Sequence, residues 1–273
     1  MPTMTADLAW RECLLRILRD GRVVSPRGQK TIEVLHTNWV SVDMHHPVIV
    51  HPVRKLNYKF MAAEALWILR GDNKLEPLTK HVKRMAEFSD DGSTLAGAYG
   101  PKIVAQLQYV LSMLLKDRDT RQAVLSIWER NPQPSKDIPC TIAMSFSIRD
   151  DKLHSHVFMR SSDAWLGIPY DIFSFTMVAI RVACLYNQAV LTTGKIEPVD
   201  LGNLTVIATS SHLYERNFTE VDAVLESPVP PESASPRIPY TIIKKGDWIT
   251  MNLALEAMEA GVPSFLRPSE VVA

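Results

Sequence analysis

The chain has 273 residues, of which 46% are hydrophobic and 22% charged, and its thirty basic residues balance thirty acidic ones. That length allows one large domain with a deep core, and the missing basic excess argues against a protein that coats nucleic acid or a membrane surface. Three cysteines, Cys13, Cys140 and Cys184, stand at no metal-ligand spacing and point to a reducing compartment. The N-terminal residues lack the charged-then-apolar order of a signal peptide. The most apolar stretch, 173–191, is broken by Arg181, Asn187 and Gln188, so no bilayer span is expected and the expected location is the cytoplasm.

Residues 7–20 place Leu8, Cys13, Leu14, Ile17 and Leu18 near helical spacing and predict an amphipathic helix stopped by Gly21. Turn chemistry at 25–28 leads to a strand over 31–35, and 38–53 predicts strand and loop. Residues 57–70 predict a helix with Glu64 set among Met61, Leu66, Trp67 and Ile68. A short polar helix and a loop over 89–100 follow, then an amphipathic helix over 102–116 and a buried strand over 121–128. Pro132, Pro134 and Pro139 mark a loop leading to Cys140. Residues 141–149 and 152–160 alternate as paired strands around a turn at Asp150 and Asp151. A long apolar helix over 171–187 is expected at the centre. Residues 204–209 predict a strand, with a helix starting at Ser210 or Ser211 under a serine cap. The segment 226–240, with five prolines, predicts an exposed loop, and 241–243 and 248–251 a late strand pair. No repeat or linker divides the chain, so 1–273 reads as one domain.

Cys140 differs from the other two cysteines. Cys13 and Cys184 lie in apolar helical stretches, where a thiol is a small hydrophobe. Cys140 follows a proline-rich loop and opens a strand, which exposes a nucleophile at a fixed backbone angle. Arg160 and Ser161 offer a guanidinium fork and a hydroxyl suited to a phosphate, and that charge is expected to lower the thiol pKa. Arg27 in a glycine turn and Arg121 after Asp119 and Thr120 are further phosphate candidates, although each alone also fits a solvated surface group. Glu64 inside an apolar helix points to function or to a structural ion pair, since a buried glutamate is unfavourable unless paired. His212 and Tyr214 fit a sugar-binding pair, or equally a cap or core role.

In this order the segments resemble the thymidylate synthase family, from about Arg27 to Tyr214. The stretch from Ala63 to Asp72 resembles the family's glutamate helix, and Ala98-Tyr99-Gly100 its tyrosine-glycine turn. Asp119-Thr120-Arg121 resembles its phosphate loop, Pro139-Cys140 its nucleophile loop, and Ser211-His212-Leu213-Tyr214 its sugar motif. Arg160-Ser161-Ser162-Asp163 with Leu166-Gly167-Ile168-Pro169-Tyr170-Asp171 resembles its nucleotide and folate wall. The resemblance implies an α/β (α+β) fold with a large mixed β-sheet and packed helices. It also implies a homodimer through the sheet, with Arg121 reaching the neighbouring subunit's phosphate, and 5,10-methylenetetrahydrofolate as co-substrate, with no metal. Cys140, Glu64 and Asp171 are then catalytic. Arg27, Arg121, Arg160, Ser161, Tyr99, His212 and Tyr214 bind the nucleotide, and Asp163, Leu166, Gly167 and Tyr170 line the folate side. The tail FLRPSEVVA is placed over the folate, although it matches the family poorly.

The departures are specific. Asp171 stands where the family places asparagine, Thr141 where histidine follows the nucleophile, and Met159 where glutamine precedes the Arg-Ser pair. Gln122 replaces a second arginine, Pro101 and Lys102 follow the tyrosine-glycine turn, and Met85 and Phe88 lie where tryptophans are usual. A carboxyl at 171 can accept from a cytosine amino group and share a proton with N3; uracil would lose a hydrogen bond there, worth roughly 1–3 kcal/mol. Asp171 together with Cys140-Thr141 resembles the deoxycytidylate hydroxymethylases, and the expected reaction is hydroxymethyl transfer to C5 of a cytidine monophosphate. A dCMP methyltransferase, a diverged thymidylate synthase and a dUMP hydroxymethylase are rivals on the same residues. A silent nucleotide-binding scaffold, and a cysteine hydrolase using His154, His156 or His212, are rivals of other classes.

Overall fold

The computed structural model describes residues 4–268, and of residues 36–39 the backbone alone. The last five residues of the tail expected over the folate lie outside the described residues. Helix α1 (Ala6–Asp20) opens the chain with Thr5 as its N-cap and packs on β2 (Thr31–Asp43), which follows the short β1 (Arg22–Val24). Helices α2 (Tyr58–Leu69), α3 (Glu76–Thr79) and α4 (Gly100–Lys116) come next. Then follow β3 (Val124–Ser126), the hairpin β4 (Thr141–Arg149) and β5 (Lys152–Met159), and β6 (Ser162–Asp163). Helix α5 (Ile168–Thr193), strand β7 (Asp200–Tyr214), and helices α6 (Phe218–Glu226), α7 (Tyr240–Lys244) and α8 (Trp248–Ala260) complete the fold.

One seven-stranded sheet runs β1-β2-β7-β5-β4-β3, with β6 also on β7. The β5–β7 and β6–β7 pairs are parallel and the others antiparallel, so the sheet is mixed. Alternation divides its faces. Met144, Phe146 and Ile148 of β4, Leu153 and Val157 of β5, and Leu204 and Val206 of β7 are buried. Their neighbours Ser145, Ser147, His154, His156, Asn203 and Thr205 are half-buried on the opposite face. The hairpin turn falls at Asp150 and Asp151, both at positive φ (50° and 56°), the geometry that a two-residue turn between twisted strands requires.

Helix α5 is the core. It starts at Ile168, earlier than periodicity indicated, because Pro169 suits a first helical turn. It ends at Gly194 in the left-handed region (φ 63°). Phe173, Phe175, Met177, Val178 and Ile180 are fully buried between α2, α4 and the sheet.

Four expectations are corrected. The strand over 121–128 shrinks to Val124–Ser126 at the sheet edge, where only Leu125 of the three is buried. No helix starts at Ser210 or Ser211, because β7 continues to Tyr214. The in-out phase slips between Ala208 and Ser211, opposite a bulge in β2 between Leu35 and Asn38, and that slip hides the strand from a period-2 pattern. The late strand pair is helical, in α7 and α8. Asp247 caps α8 by accepting from the Thr250 N–H (3.0 Å) and hydroxyl (2.6 Å), and Met251, Leu255 and Met258 supply the helical spacing of its buried side. The proline-rich segment is partly pinned inward. The Ile238 N–H donates to the His45 carbonyl (2.9 Å), the His45 ring bridges the Ile238 carbonyl (2.8 Å) and Asp200 (3.1 Å), and Ile238 is fully buried.

Asn187, one of the polar breaks in the apolar stretch, is fully buried. Its amide donates to the carbonyls of Val199 (2.9 Å) and Ile243 (2.7 Å) and accepts from the Val199 N–H (2.7 Å), tying α5 to β7 and α7. Asn187→Ala strands three buried backbone groups and is expected to cost about 3 kcal/mol in urea unfolding with an unchanged m value; a loss below about 1 kcal/mol would refute this role.

Candidate active site

Cys140 is the last residue before β4, and Arg160 fixes it there. The Arg160 N–H donates to the Cys140 carbonyl (2.9 Å), its Nε to the Pro139 carbonyl (2.9 Å) and its Nη2 to the Ile138 carbonyl (3.0 Å). The guanidinium lies 5.8 Å from the Trp128 ring centre. One arginine at the end of β5 thus straps down the loop that the prolines predicted.

Cys140 opens onto a cavity of about 170 Å³ that Glu64 from α2, Tyr99 before α4, and Asp171 from the first turn of α5 also line. Trp67, Leu78, Met85, Leu95 and Phe175 give it an apolar wall, and Tyr99 stacks on Phe175 with ring centres 5.9 Å apart. Four residues distant in the chain that were singled out from sequence therefore meet at one place.

The electrostatics of this cavity are those of acids without a cation. Burial pushes the Glu64 carboxyl up to about 7, with the Ser174 hydroxyl pulling it partly back. Asp171 is pushed well above the carboxylate range, first by burial and then by the charges of Glu64 and Asp163. Both keep some surface on the cavity while protein surrounds them. Glu64 makes no ion pair among the described residues, so the structural alternative for it fails. Burial also raises the Tyr99 phenol, with Asp171 and Cys140 adding to it. The expected fall in the thiol pKa of Cys140 is corrected. Burial outweighs the opposing pull of Arg160, and Asp171 and Asp137 push it further up.

The nucleotide candidates form a second group outside the cavity wall. His212 and Tyr214 alternate on one side of β7 with rings 5.2 Å apart, and Ser161 Oγ stands 3.5 Å from His212 Nδ1. Burial lowers the His212 pKa, and the charge of Arg27 also acts on it. Arg27 is exposed at positive φ (53°) in the turn before β2. Arg121 is exposed at the far sheet edge, outside the cavity lining, and makes no hydrogen bond or ion pair with the described residues.

The expected folate-side residues build the corner that presents Asp171. Asp163 accepts from the N–H groups of Trp165 (2.8 Å) and Leu166 (2.9 Å), and its carbonyl accepts from the Gly167 N–H (3.0 Å). A Cβ on Gly167 would lie 3.1 Å from the Asp163 carbonyl and 3.2 Å from the Asp171 carboxylate. The Tyr170 hydroxyl accepts from the Asn57 N–H (3.2 Å), its ring packs on Phe60, and Leu166 is exposed. His154 and His156 lie on the outer sheet face, and among the described residues no histidine lines the cavity beside Cys140, so none of the three histidines named for the hydrolase reading stands at the thiol.

Sequence reasoning missed Asp137. It lines the cavity, and its Oδ2 accepts from the Gly97 N–H at 2.7 Å. The available signal was an acid three residues before Cys140. Ser174, one helical turn after Asp171, was missed as well.

Folding holds the proton on Glu64, whose carboxyl ionises near 7 against 4.5 in its ordinary state. The stabilisation that this gives is complete below about pH 4.5 and is lost as pH rises through about 7. Glu64→Gln escapes that loss. Its stability advantage over the native chain should widen between those limits, by up to about 3 kcal/mol, and then level off. Urea unfolding across that pH range reads this directly, and a constant difference would contradict desolvation of Glu64.

A family model described as thymidylate synthase matches residues 9–248. The chain is 28% identical over 230 residues to a deoxyuridylate hydroxymethyltransferase of Bacillus phage SP01, covering 75% of this chain and 56% of that protein. It is 30% identical over 177 residues to one of Pseudomonas phage M6, covering 62% and 48%. It is 30% identical over 191 residues to one of Delftia phage PhiW-14, covering 64% and 50%. The chain thus spans about half the length of the curated relatives it matches. With that match over most of its length, and with the motif residues of α2, α5 and the nucleophile loop gathered at one cavity, the chain belongs to the thymidylate synthase family.

Proposed function

We propose that the chain transfers a one-carbon unit from 5,10-methylenetetrahydrofolate to C5 of a deoxypyrimidine 5′-monophosphate and releases the 5-hydroxymethyl nucleotide. The convergence of Cys140, Glu64, Tyr99 and Asp171 on one cavity carries this reading. The names of the phage relatives support both hydroxymethyl transfer and the deoxy sugar.

Cys140 is the nucleophile. Its thiolate adds to C6 of the pyrimidine and makes C5 electron-rich. The thiol starts above its ordinary pKa, so the proton must leave to a neighbouring group as C6 is attacked. Glu64, poised near 7, suits proton exchange at that stage through water. Arg160 and Arg27 favour the thiolate and, with Ser161, face the phosphate, while His212 and Tyr214 hold the sugar. The apolar wall of Trp67, Leu78, Met85 and Phe175 fits the flat ring system of a folate. The folate supplies the carbon at C5 when bound. Asp163 and Gly167 act here by shaping the corner that aims Asp171.

Asp171 reads the base. With cytosine, its carboxyl accepts from the 4-amino group and shares a proton with N3, a charge-assisted contact. Uracil already carries a hydrogen at N3 and cannot form that shared pair. This makes cytosine the first reading. Uracil is the second, favoured by the relatives' names and by the raised pKa of Asp171, because a neutral carboxyl also offers a donor to O4 and an acceptor for N3–H.

The half-buried outer sheet face and Arg121, which has no partner among the described residues, support a homodimer through the sheet, with Arg121 serving the neighbouring phosphate site.

The deciding experiment offers dCMP, CMP and dUMP with methylenetetrahydrofolate and weighs the product. A gain of about 30 mass units, abolished in Cys140→Ala, is expected; a gain of about 14 would mean methyl transfer. Asp171→Asn should lower turnover of dCMP by about 10- to 100-fold relative to dUMP. Turnover of dUMP alone by the native chain would move the assignment to uracil.

A further inference from the structure

The mechanism above leaves one cavity-lining acid without a task. Asp137 stands on the nucleophile loop three residues before Cys140, and its charge opposes formation of the thiolate. Its Oδ2 accepts from the Gly97 N–H at 2.7 Å, whereas its Oδ1 has no hydrogen-bond partner among the described residues. The seat is built for close approach. A Cβ on Gly97 would lie 2.9 Å from the Asp137 carboxyl carbon and 2.7 Å from its backbone carbonyl. The loop is braced from behind as well. The Asp137 N–H donates to Ser135 Oγ (2.9 Å), Ser135 donates to Asp90 (2.5 Å), and Lys136 Nζ donates to the Ser89 carbonyl (3.3 Å).

An acid here works against the nucleophile, and bracing Gly97 needs only a neutral acceptor. The carboxylate is therefore unexplained by structure alone. It also stands apart from Glu64 and Asp171, where the Glu64 charge acts on Asp171; the charges acting on Asp137 are Asp90 and Lys102. The Ser174 hydroxyl, on the same cavity, is buried and sits beside Glu64, whose carboxyl it pulls toward ionisation. A water on Asp137 Oδ1 would sit in a cavity whose lining also carries the Tyr99 phenol and the carboxyls of Glu64 and Asp171, polar neighbours of the kind that buried water requires.

Building on the hydroxymethyl reading, we propose that Asp137 holds the attacking water and takes its proton. The water oxygen forms a bond to the exocyclic methylene carbon on C5 of the Cys140-bound ring, and the O–H bond breaks toward Asp137 Oδ1. The methylene π pair moves into the ring toward position 4. It returns to form C5=C6 as the C6–S bond breaks and the Cys140 thiolate leaves. Glu64 then serves proton exchange on the base side, and Asp137 serves water on the loop side.

The test uses Asp137→Asn in the full chain, which keeps an acceptor for Gly97 and removes the base. Tritium release from C5 and hydroxymethyl product are measured together, on whichever of dCMP and dUMP the native chain turns over. Product formed per tritium released should fall about tenfold or more, with a Cys140–nucleotide adduct visible by intact-protein mass. An unchanged ratio, or equal falls in both quantities with no adduct, would overturn the assignment and leave Asp137 as a brace. A methyl product, or none, from the native chain would instead remove the hydroxymethyl reading on which this rests.

Discussion

Glu64, Asp137 and Asp171 share one cavity of about 170 Å³, and no lysine or arginine is ion-paired with any of them among the described residues. Desolvation raises all three carboxyls. Such an arrangement persists only where the surrounding structure is rigid enough to resist repulsion or solvation of the acids. Helices α2 and α5 provide that rigidity. Each presents its acid from a segment otherwise buried in the core, such as Met61 and Leu66 on α2 or Ile172 and Phe173 on α5. The site is thus a local loss in stability, offset by one of the best-packed parts of the molecule.

Arg160 connects this acid cavity to its cationic rim. Two of its guanidinium donors hold the carbonyls of Ile138 and Pro139, which fixes Cys140 in space. Its charge opposes the rise in the thiol pKa, though burial prevails. The same side chain therefore sets both the position and the charge environment of the Cys140 thiol. Asp163 has a parallel double task on the other wall, since its carboxylate closes the turn before α5 while its charge acts on Asp171 and His212.

Much of this was legible in the sequence, for identifiable reasons. The β4–β5 hairpin was readable because alternation flanks Asp150 and Asp151, α1 and α4 because their apolar residues repeat at helical spacing, and α2 because a run of strong helix formers ends at Gly71. Cys140, Glu64, Tyr99 and Asp171 were found because each breaks its local pattern: a thiol after proline, an acid in an apolar helix, a departure within a motif. The end of β7 was hidden because the bulge opposite Thr209 shifts the buried phase from even to odd positions. Helices α7 and α8 were hidden because β-branched residues such as Ile242, Ile243 and Ile249 favour strands locally, while the Asp247 cap and the tertiary packing of Ile243, Met251 and Leu255 decide otherwise. Asp137 was hidden for a different reason. An acid in a polar, proline-rich loop resembles a solvated residue until the fold turns it onto Gly97.

The walls of the cavity bear on which nucleophile completes the chemistry. Part of the lining is apolar, formed by Trp67, Leu78, Met85, Leu95 and Phe175; the rest carries the three carboxyls, the Tyr99 phenol and the Ser174 hydroxyl. A fully apolar enclosure would exclude water and leave a bound folate's hydride as the only nucleophile for the methylene on C5. A wall with several unsatisfied acceptors does the opposite, because buried water is stable where it finds about three polar partners. Met85 lines this wall in the stretch where the family resemblance places tryptophans, and its side chain covers less than an indole would. How this cavity would solvate C5 therefore bears on the proposed hydroxymethyl product separately from which base Asp171 selects.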